Sequence, residues 1–127
     1  EKVIADTTYS DSIFLEGFVE DVSDYLKGSD IFLFPSLGEG MPNAYIEALH
    51  YDLVCVSYDN TVFPEFSDMG FYVHLVKNKD IDVLAKKLGE IASDVTNERE
   101  KSERNIELSK EYFSVSREIN EWMSILQ

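Results

Sequence analysis

Apolar and polar positions along this chain fall in blocks rather than alternating residue by residue. Ile13-Phe14-Leu15, Ile31-Phe32-Leu33-Phe34, Leu53-Val54-Cys55-Val56 and Phe71-Tyr72-Val73-His74-Leu75-Val76 are short, almost continuous apolar runs. Runs of about four to six residues, rich in β-branched and aromatic side chains, predict strands covered on both faces, as in a parallel sheet flanked by helices. We therefore expect four mainly parallel strands near 13–16, 31–34, 53–57 and 72–76. The segments between them carry helical signals. Asp21 or Ser23 can cap a short helix through Leu26, ended by Gly28. Pro42 stands near the first position of a helix through Leu49, where its fixed φ fits and its missing N–H costs nothing. Asp80 can cap a helix over Ile81–Val95, in which Ile81, Leu84, Leu88, Ile91 and Val95 recur every three or four residues. The stretch from Thr96 to Tyr112 is highly charged and weakly amphipathic, and it reads as mostly solvated. Ser114 caps a last helix with Val115, Ile119, Trp122 and Leu126 on one face.

Strands alternating with helices through short connections predict an α/β fold, a Rossmann-like, doubly wound and mainly parallel sheet, forming a single domain over residues 1–127. Composition agrees with a folded chain: 44% of residues are hydrophobic and 28% charged, which argues against disorder. Charge narrows the partners. With 25 acidic against 11 basic side chains the formal charge is −14, a surface expected to repel nucleic acid and anionic lipid. No nucleic-acid partner and no membrane contact through this domain are therefore expected. A single cysteine, Cys55, excludes an internal disulfide framework and a cysteine-based zinc site. His50 and His74 lack metal-ligand spacing, so neither a metal nor another cofactor is expected. No apolar run approaches ~18 residues, and Glu1-Lys2-Val3-Ile4-Ala5-Asp6 is not a signal peptide. These features point to a reducing, cytoplasmic setting.

In doubly wound sheets ligands bind beyond the carboxyl ends of the strands. That directs attention to the segments after Leu15, Phe34 and Val56. The second is the most informative: Phe34-Pro35-Ser36-Leu37-Gly38-Glu39-Gly40-Met41-Pro42-Asn43, running into Ala44-Tyr45-Ile46-Glu47-Ala48-Leu49. A buried strand ends, a glycine-containing turn follows and a helix begins. Free N–H groups at that helix start, with the positive end of its dipole, suit an anion. Glu39 in the turn and Glu47 on the helix are carboxylates that can each accept two hydrogen bonds from adjacent sugar hydroxyls. A ligand combining sugar, phosphate and ribose would fit. Equally, such turns occur throughout α/β proteins, and Glu47 can be read as an ordinary solvated helix residue. The Lys-Ser/Thr of a P-loop and the three-glycine dinucleotide spacing are both absent.

The stretch from Ile13 to about Val95 resembles the C-terminal, donor-binding half of GT-B-fold glycosyltransferases of family 4, the retaining group-1 type. The likeness rests on Ile13-Phe14-Leu15-Glu16-Gly17-Phe18-Val19, on Ser29-Asp30-Ile31-Phe32-Leu33-Phe34-Pro35-Ser36, on Glu39-Gly40-Met41-Pro42-Asn43 with Glu47-Ala48-Leu49, and on Phe113-Ser114 before the last helix. Glu39 and Glu47 have the family's E-x7-E spacing. The resemblance implies a nucleotide-diphosphate sugar as donor, and synthesis of a cell-surface polysaccharide or glycolipid as the setting. It makes Glu47 the ribose ligand and Glu39 the catalytic ligand of the donor sugar. It sets the backbone of Gly40 and Met41, with Pro42 and Asn43 at the helix start, against the sugar or diphosphate, and lines the base pocket with Gly17, Phe18 and Val19. Phe18 reads equally well as simple packing.

Departures qualify the likeness. The family usually has Gly-Leu-Pro-Val after the glutamate helix and Gly-Gly before Pro-Glu in the next loop. Here His50-Tyr51-Asp52-Leu53-Val54-Cys55-Val56 and Asn60-Thr61-Val62-Phe63-Pro64-Glu65 stand instead, neither with a glycine. The Gly-Arg strand and nearby lysine that bind the diphosphate have no counterpart, and Gly28–Val76 contains seven acids and no Lys or Arg. The simplest expectation is a fragment of a larger two-domain transferase. Its N-terminal acceptor domain would be supplied in cis or trans, and would bring the protein to the cytoplasmic face of the membrane. A non-catalytic nucleotide-sugar-binding or interaction module pairing with another chain is the alternative. A receiver-like signalling domain fits poorly, because Asp30 precedes its strand instead of ending it.

Overall fold

The computed structural model describes residues 7–126. Three of the four apolar runs form strands, β1 (Ile31–Phe34), β2 (Val54–Asp59) and β3 (His74–Lys77). They build one parallel sheet in the order β1-β2-β3, with Ile31 opposite Val54 and Val56 opposite His74. Helix α1 (Ser23–Lys27) precedes β1. Helix α2 (Asn43–His50) crosses from β1 to β2 and α3 (Phe63–Asp68) from β2 to β3. After β3 come α4 (Ile81–Ser93), α5 (Val95–Ser102), α6 (Arg104–Tyr112) and α7 (Val115–Ile125). The α/β, parallel-sheet expectation holds.

β2 shows why its run is continuously apolar. Successive side chains of a strand point to opposite faces, and both faces of β2 are covered. Cys55 faces a core of Tyr45, Leu49, Phe63, Phe66, Phe71 and Leu108, drawn from α2, α3 and α6 and the segment before β3. Val54, Val56 and Tyr58 face the other way, against Val76 of β3 and Leu84 and Ile91 of α4. Tyr45 is fully buried and packs edge-on against Phe63 at 5.2 Å between ring centroids. The caps expected for the later helices are present: Asp80 Oδ1 accepts the Val83 N–H at 3.1 Å and Ser114 Oγ the Arg117 N–H at 3.3 Å.

Two expectations need correction. Ile13–Leu15 leads into an extended segment that pairs with no strand among the described residues, and its side chains are exposed. Sequence supplies the strand preference, but a ladder needs a neighbour, and a lone strand leaves its N–H and C=O groups to water. The second concerns the charged stretch after Thr96, which is two helices with a buried seam. Ser102, Asn105 and Ser109 are buried together with Leu108. Asn105, 1% exposed, takes the Tyr72 N–H on Oδ1 and gives Nδ2 to the Tyr72 carbonyl, both at 2.8 Å, completing the backbone just ahead of β3. Small and polar buried residues carry no apolar periodicity, so the seam was invisible to that pattern. Helix α3 was likewise not expected.

Helix α5 is tied to β3 by charge. Glu98 accepts from Lys101 Nζ at 2.7 Å, and from Tyr72 Oη and His74 Nε2, both at 2.8 Å. Lys101 first, then Tyr72 and His74, hold the Glu98 carboxyl down at about 2 against the opposing effect of desolvation. Burial pushes His74 below its ordinary value, outweighing the attraction of Glu98. Both folded-state pKa values are depressed, so in each case the unfolded chain binds the proton first and stability falls on acidification. The Glu98 contribution is complete above its ordinary value of 4.5 and is lost as pH falls toward about 2. In urea titrations the wild type should exceed Glu98→Gln in stability at pH 7, with the gap closing across that interval. A gap that does not vary with pH would contradict this account.

Candidate functional site

Each parallel strand delivers its carboxyl end to the same edge of the sheet, and polar residues collect there. After β1 come Ser36 and Glu39; after β2, Asn60 and Thr61; after β3, Asn78. They are joined. Ser36 Oγ donates to Glu39 Oε1 at 2.7 Å. The Glu39 backbone N–H donates to Thr61 Oγ1 at 3.1 Å, and the Thr61 hydroxyl donates to Asn60 Oδ1 at 3.1 Å. Asn60 Nδ2 donates to the Ser36 carbonyl at 3.1 Å and to Asn78 Oδ1 at 3.2 Å. Glu39, half-buried, is thus held at both its backbone and its carboxylate, while Oε2 accepts no hydrogen bond among the described residues. Ser36, Asn60, Thr61 and Asn78 were not singled out as site residues. Their signal was available in the polar residues that directly follow buried strands.

Helix α2 then starts without a side-chain cap, as Pro42 occupies the N-cap. Its carbonyl accepts from Tyr45 at 2.9 Å and Ile46 at 3.0 Å. One leading group is already engaged, the Asn43 N–H bonding the Met41 carbonyl at 3.0 Å. Pro42 is buried; Gly40, Met41 and Asn43 are exposed. A Cβ added at Gly40 would meet nothing within 4 Å, so close packing within the chain does not demand glycine there.

About one turn into α2, Glu47 reaches solvent beside a largely apolar cavity of about 290 Å³ that also meets Val22, Tyr25, Phe32 and Leu53. The segment Gly17-Phe18-Val19 comes close through α1. Tyr25 Oη donates at 3.0 Å to Glu16, the residue before that segment, and the Tyr25 side chain lines the cavity. Gly17 has a φ of 69°, which glycine adopts at no steric cost. Phe18 is 95% exposed, so it packs against nothing in the described chain, and Val19 is half-buried. Glu39 and Glu47 therefore serve different neighbourhoods, one at the sheet edge and one at the α1–α2 cavity.

Each of the two stretches that lack the family's glycines contains a residue with a left-handed backbone. Asp52 has a φ of 60° and Thr61 a φ of 45°. Asp52 is anchored by Ser102 Oγ at 3.3 Å and by Arg99 Nη2 at 3.5 Å, while Arg99 Nη1 bonds Asp30 at 3.0 Å. That arginine lies at the amino ends of β1 and β2, away from the candidate site. Lys77 and Lys79 flank Asn78 at the carboxyl edge, and Arg117 lines a cavity together with Met41 and Asn43 at the start of α2. Among the described residues no three His, Cys, Asp or Glu side chains gather as a metal would require. No helix there is long and apolar enough to cross a membrane.

Comparison with known proteins adds family information to this geometry. Residues 1–94 match the family described as glycosyl transferases group 1. The chain is 41% identical over 64 residues to the capsular polysaccharide biosynthesis glycosyltransferase CapH of Staphylococcus aureus, covering 47% of this chain and 18% of that protein. It is 35% identical over 97 residues to the UDP-Gal:alpha-D-GlcNAc-diphosphoundecaprenol alpha-1,3-galactosyltransferase of Escherichia coli, covering 73% and 24%. It is 36% identical over 90 residues to the amylovoran biosynthesis glycosyltransferase AmsK of Erwinia amylovora, covering 65% and 22%. The chain therefore spans less than a quarter of the length of each of these relatives. In fold it matches the crystal structure of TarM with a TM-score of 0.82 and 22% identity, over 97% of this chain and 25% of that one.

Proposed function

The chain belongs to the glycosyl transferases of group 1, and from that premise we propose that it is the donor-binding part of a larger, retaining transferase of family 4. The carrying observation is Glu39, clamped at the carboxyl edge of the sheet with one carboxylate oxygen left to accept from a ligand. In this reading the donor is a nucleoside diphosphate sugar. Glu39 accepts from the hydroxyls of the sugar, Glu47 from those of the ribose, and the turn Gly40-Met41-Pro42-Asn43 faces the sugar or the diphosphate. The Gly17-Phe18-Val19 loop lies toward the base, with the half-open cavity between α1 and α2 beside it. Adjacent hydroxyls presented to a fixed carboxylate give two charge-assisted hydrogen bonds, and these orient the ring without any metal ligand from the chain. The names of the relatives, capsular polysaccharide and amylovoran biosynthesis and a diphosphoundecaprenol-linked acceptor, support a polysaccharide or lipid-linked glycan as the product.

The test is transfer by the complete transferase from a panel of nucleoside diphosphate sugars, with the anomeric configuration of the product read by NMR. A product of retained configuration is expected. An inverted product overturns the retaining reading. Donor binding without transfer to any acceptor favours the non-catalytic module.

A further inference from the structure

Thr61 combines features that ordinary loop residues do not share. A β-branched side chain at a φ of 45° is an uncommon and strained conformation. Strain of this kind persists where surrounding structure over-determines it, and it often marks a working part of a site. What holds it here is visible. The Thr61 hydroxyl is used twice, accepting from the Glu39 backbone and donating to Asn60. The same dipeptide reaches the other side of Glu39. Asn60 fixes the Ser36 carbonyl, and Ser36 Oγ holds the Glu39 carboxylate. The loop that leaves β2 thus closes a ring around an acid delivered by β1.

We propose that Thr61, with Asn60, is a positioning residue for Glu39: its hydroxyl fixes the turn that aims the carboxylate at the donor sugar. This rests on Glu39 being the sugar ligand. Thr61 touches no reacting atom in this scheme. Its contribution is to remove the motion of the Gly38-Glu39-Gly40 turn, whose two glycines would otherwise leave the acid free to swing. Positional error at a reacting centre costs rate more than affinity.

The experiment is steady-state kinetics of the complete transferase with Thr61→Gly, Thr61→Val, Thr61→Ser and Glu39→Ala, with thermal midpoints in parallel. Thr61→Gly suits the left-handed backbone and so preserves folding, yet it lacks the hydroxyl. Thr61→Val keeps the shape without the hydroxyl. Both are expected to lower kcat roughly tenfold, with donor KM changed by less than about twofold. Thr61→Ser keeps the hydroxyl and is expected to retain most of the rate. Wild-type kcat in Thr61→Gly, with Glu39→Ala impaired, overturns the positioning role and leaves the proposed function standing. Unchanged kcat in Glu39→Ala overturns the role of Glu39 itself, and with it this inference.

Discussion

Replacing Glu39 by alanine in the complete transferase is expected to lower kcat by roughly a thousandfold, while donor KM changes by less than about threefold. The asymmetry follows from what the side chain would touch. A carboxylate that accepts from hydroxyls beside the reacting carbon strengthens its bonds as positive charge grows there, so its value lies mainly in the transition state. The fold is expected to survive, since Glu39 is only half-buried and its partners Ser36 and Thr61 remain close to water. Glu39→Gln keeps an acceptor for Ser36 Oγ but loses the charge, and its kcat should fall between wild type and alanine. A fall confined to KM would make Glu39 a uniform binding group instead. No fall in either parameter would remove it from the site.

Glu47→Ala should show the complementary pattern. Loss of two charge-assisted hydrogen bonds to vicinal ribose hydroxyls, each worth ~1.5 kcal/mol at the low end of the usual range, weakens donor binding or turnover by roughly 100-fold. A 2′-deoxyribose donor provides the second arm of the test. It should lose most of its disadvantage in Glu47→Ala, because the carboxylate that discriminates the hydroxyl is gone. Stability should change little, since Glu47 is exposed and carries no intramolecular ion pair among the described residues. Equal discrimination against the deoxy donor in wild type and variant would place the ribose elsewhere. The cavity beside Glu47 would then be an ordinary groove between α1 and α2.

Sequence by itself determined the class of fold and the strands at the centre of the core, while Phe63 and Phe66 of α3 and Leu108 of α6 joined that core only in the structure. The runs at Ile31–Phe34, Leu53–Val56 and Phe71–Val76 are legible as strands because they are almost continuously apolar, but full cover on both faces is found in β2, whereas at the sheet edge Leu33 of β1 is 40% exposed. The stripe over Ile81, Leu84, Leu88 and Ile91 is legible because a helix on a sheet repeats every three or four residues; Leu84 and Ile91 are buried as it requires, whereas Ile81 in the first turn is 71% exposed. The Glu39 and Glu47 spacing is local and can be read from the chain. Whether Ile13–Leu15 forms a strand depends on a neighbour that local preference cannot supply. The seam of Ser102, Asn105 and Ser109 came from tertiary packing, because small and polar residues become interior only where hydrogen bonds such as those from Asn105 to Tyr72 satisfy them. The ring around Glu39 joins Ser36, Asn60, Thr61 and Asn78, residues up to 42 positions apart, taken from 36 and 78 in the chain. Only the parallel sheet, which brings three carboxyl strand ends to one edge, makes them neighbours. Asp52 and Thr61 show the same division: tertiary hydrogen bonds to residues distant in the chain hold their left-handed backbones.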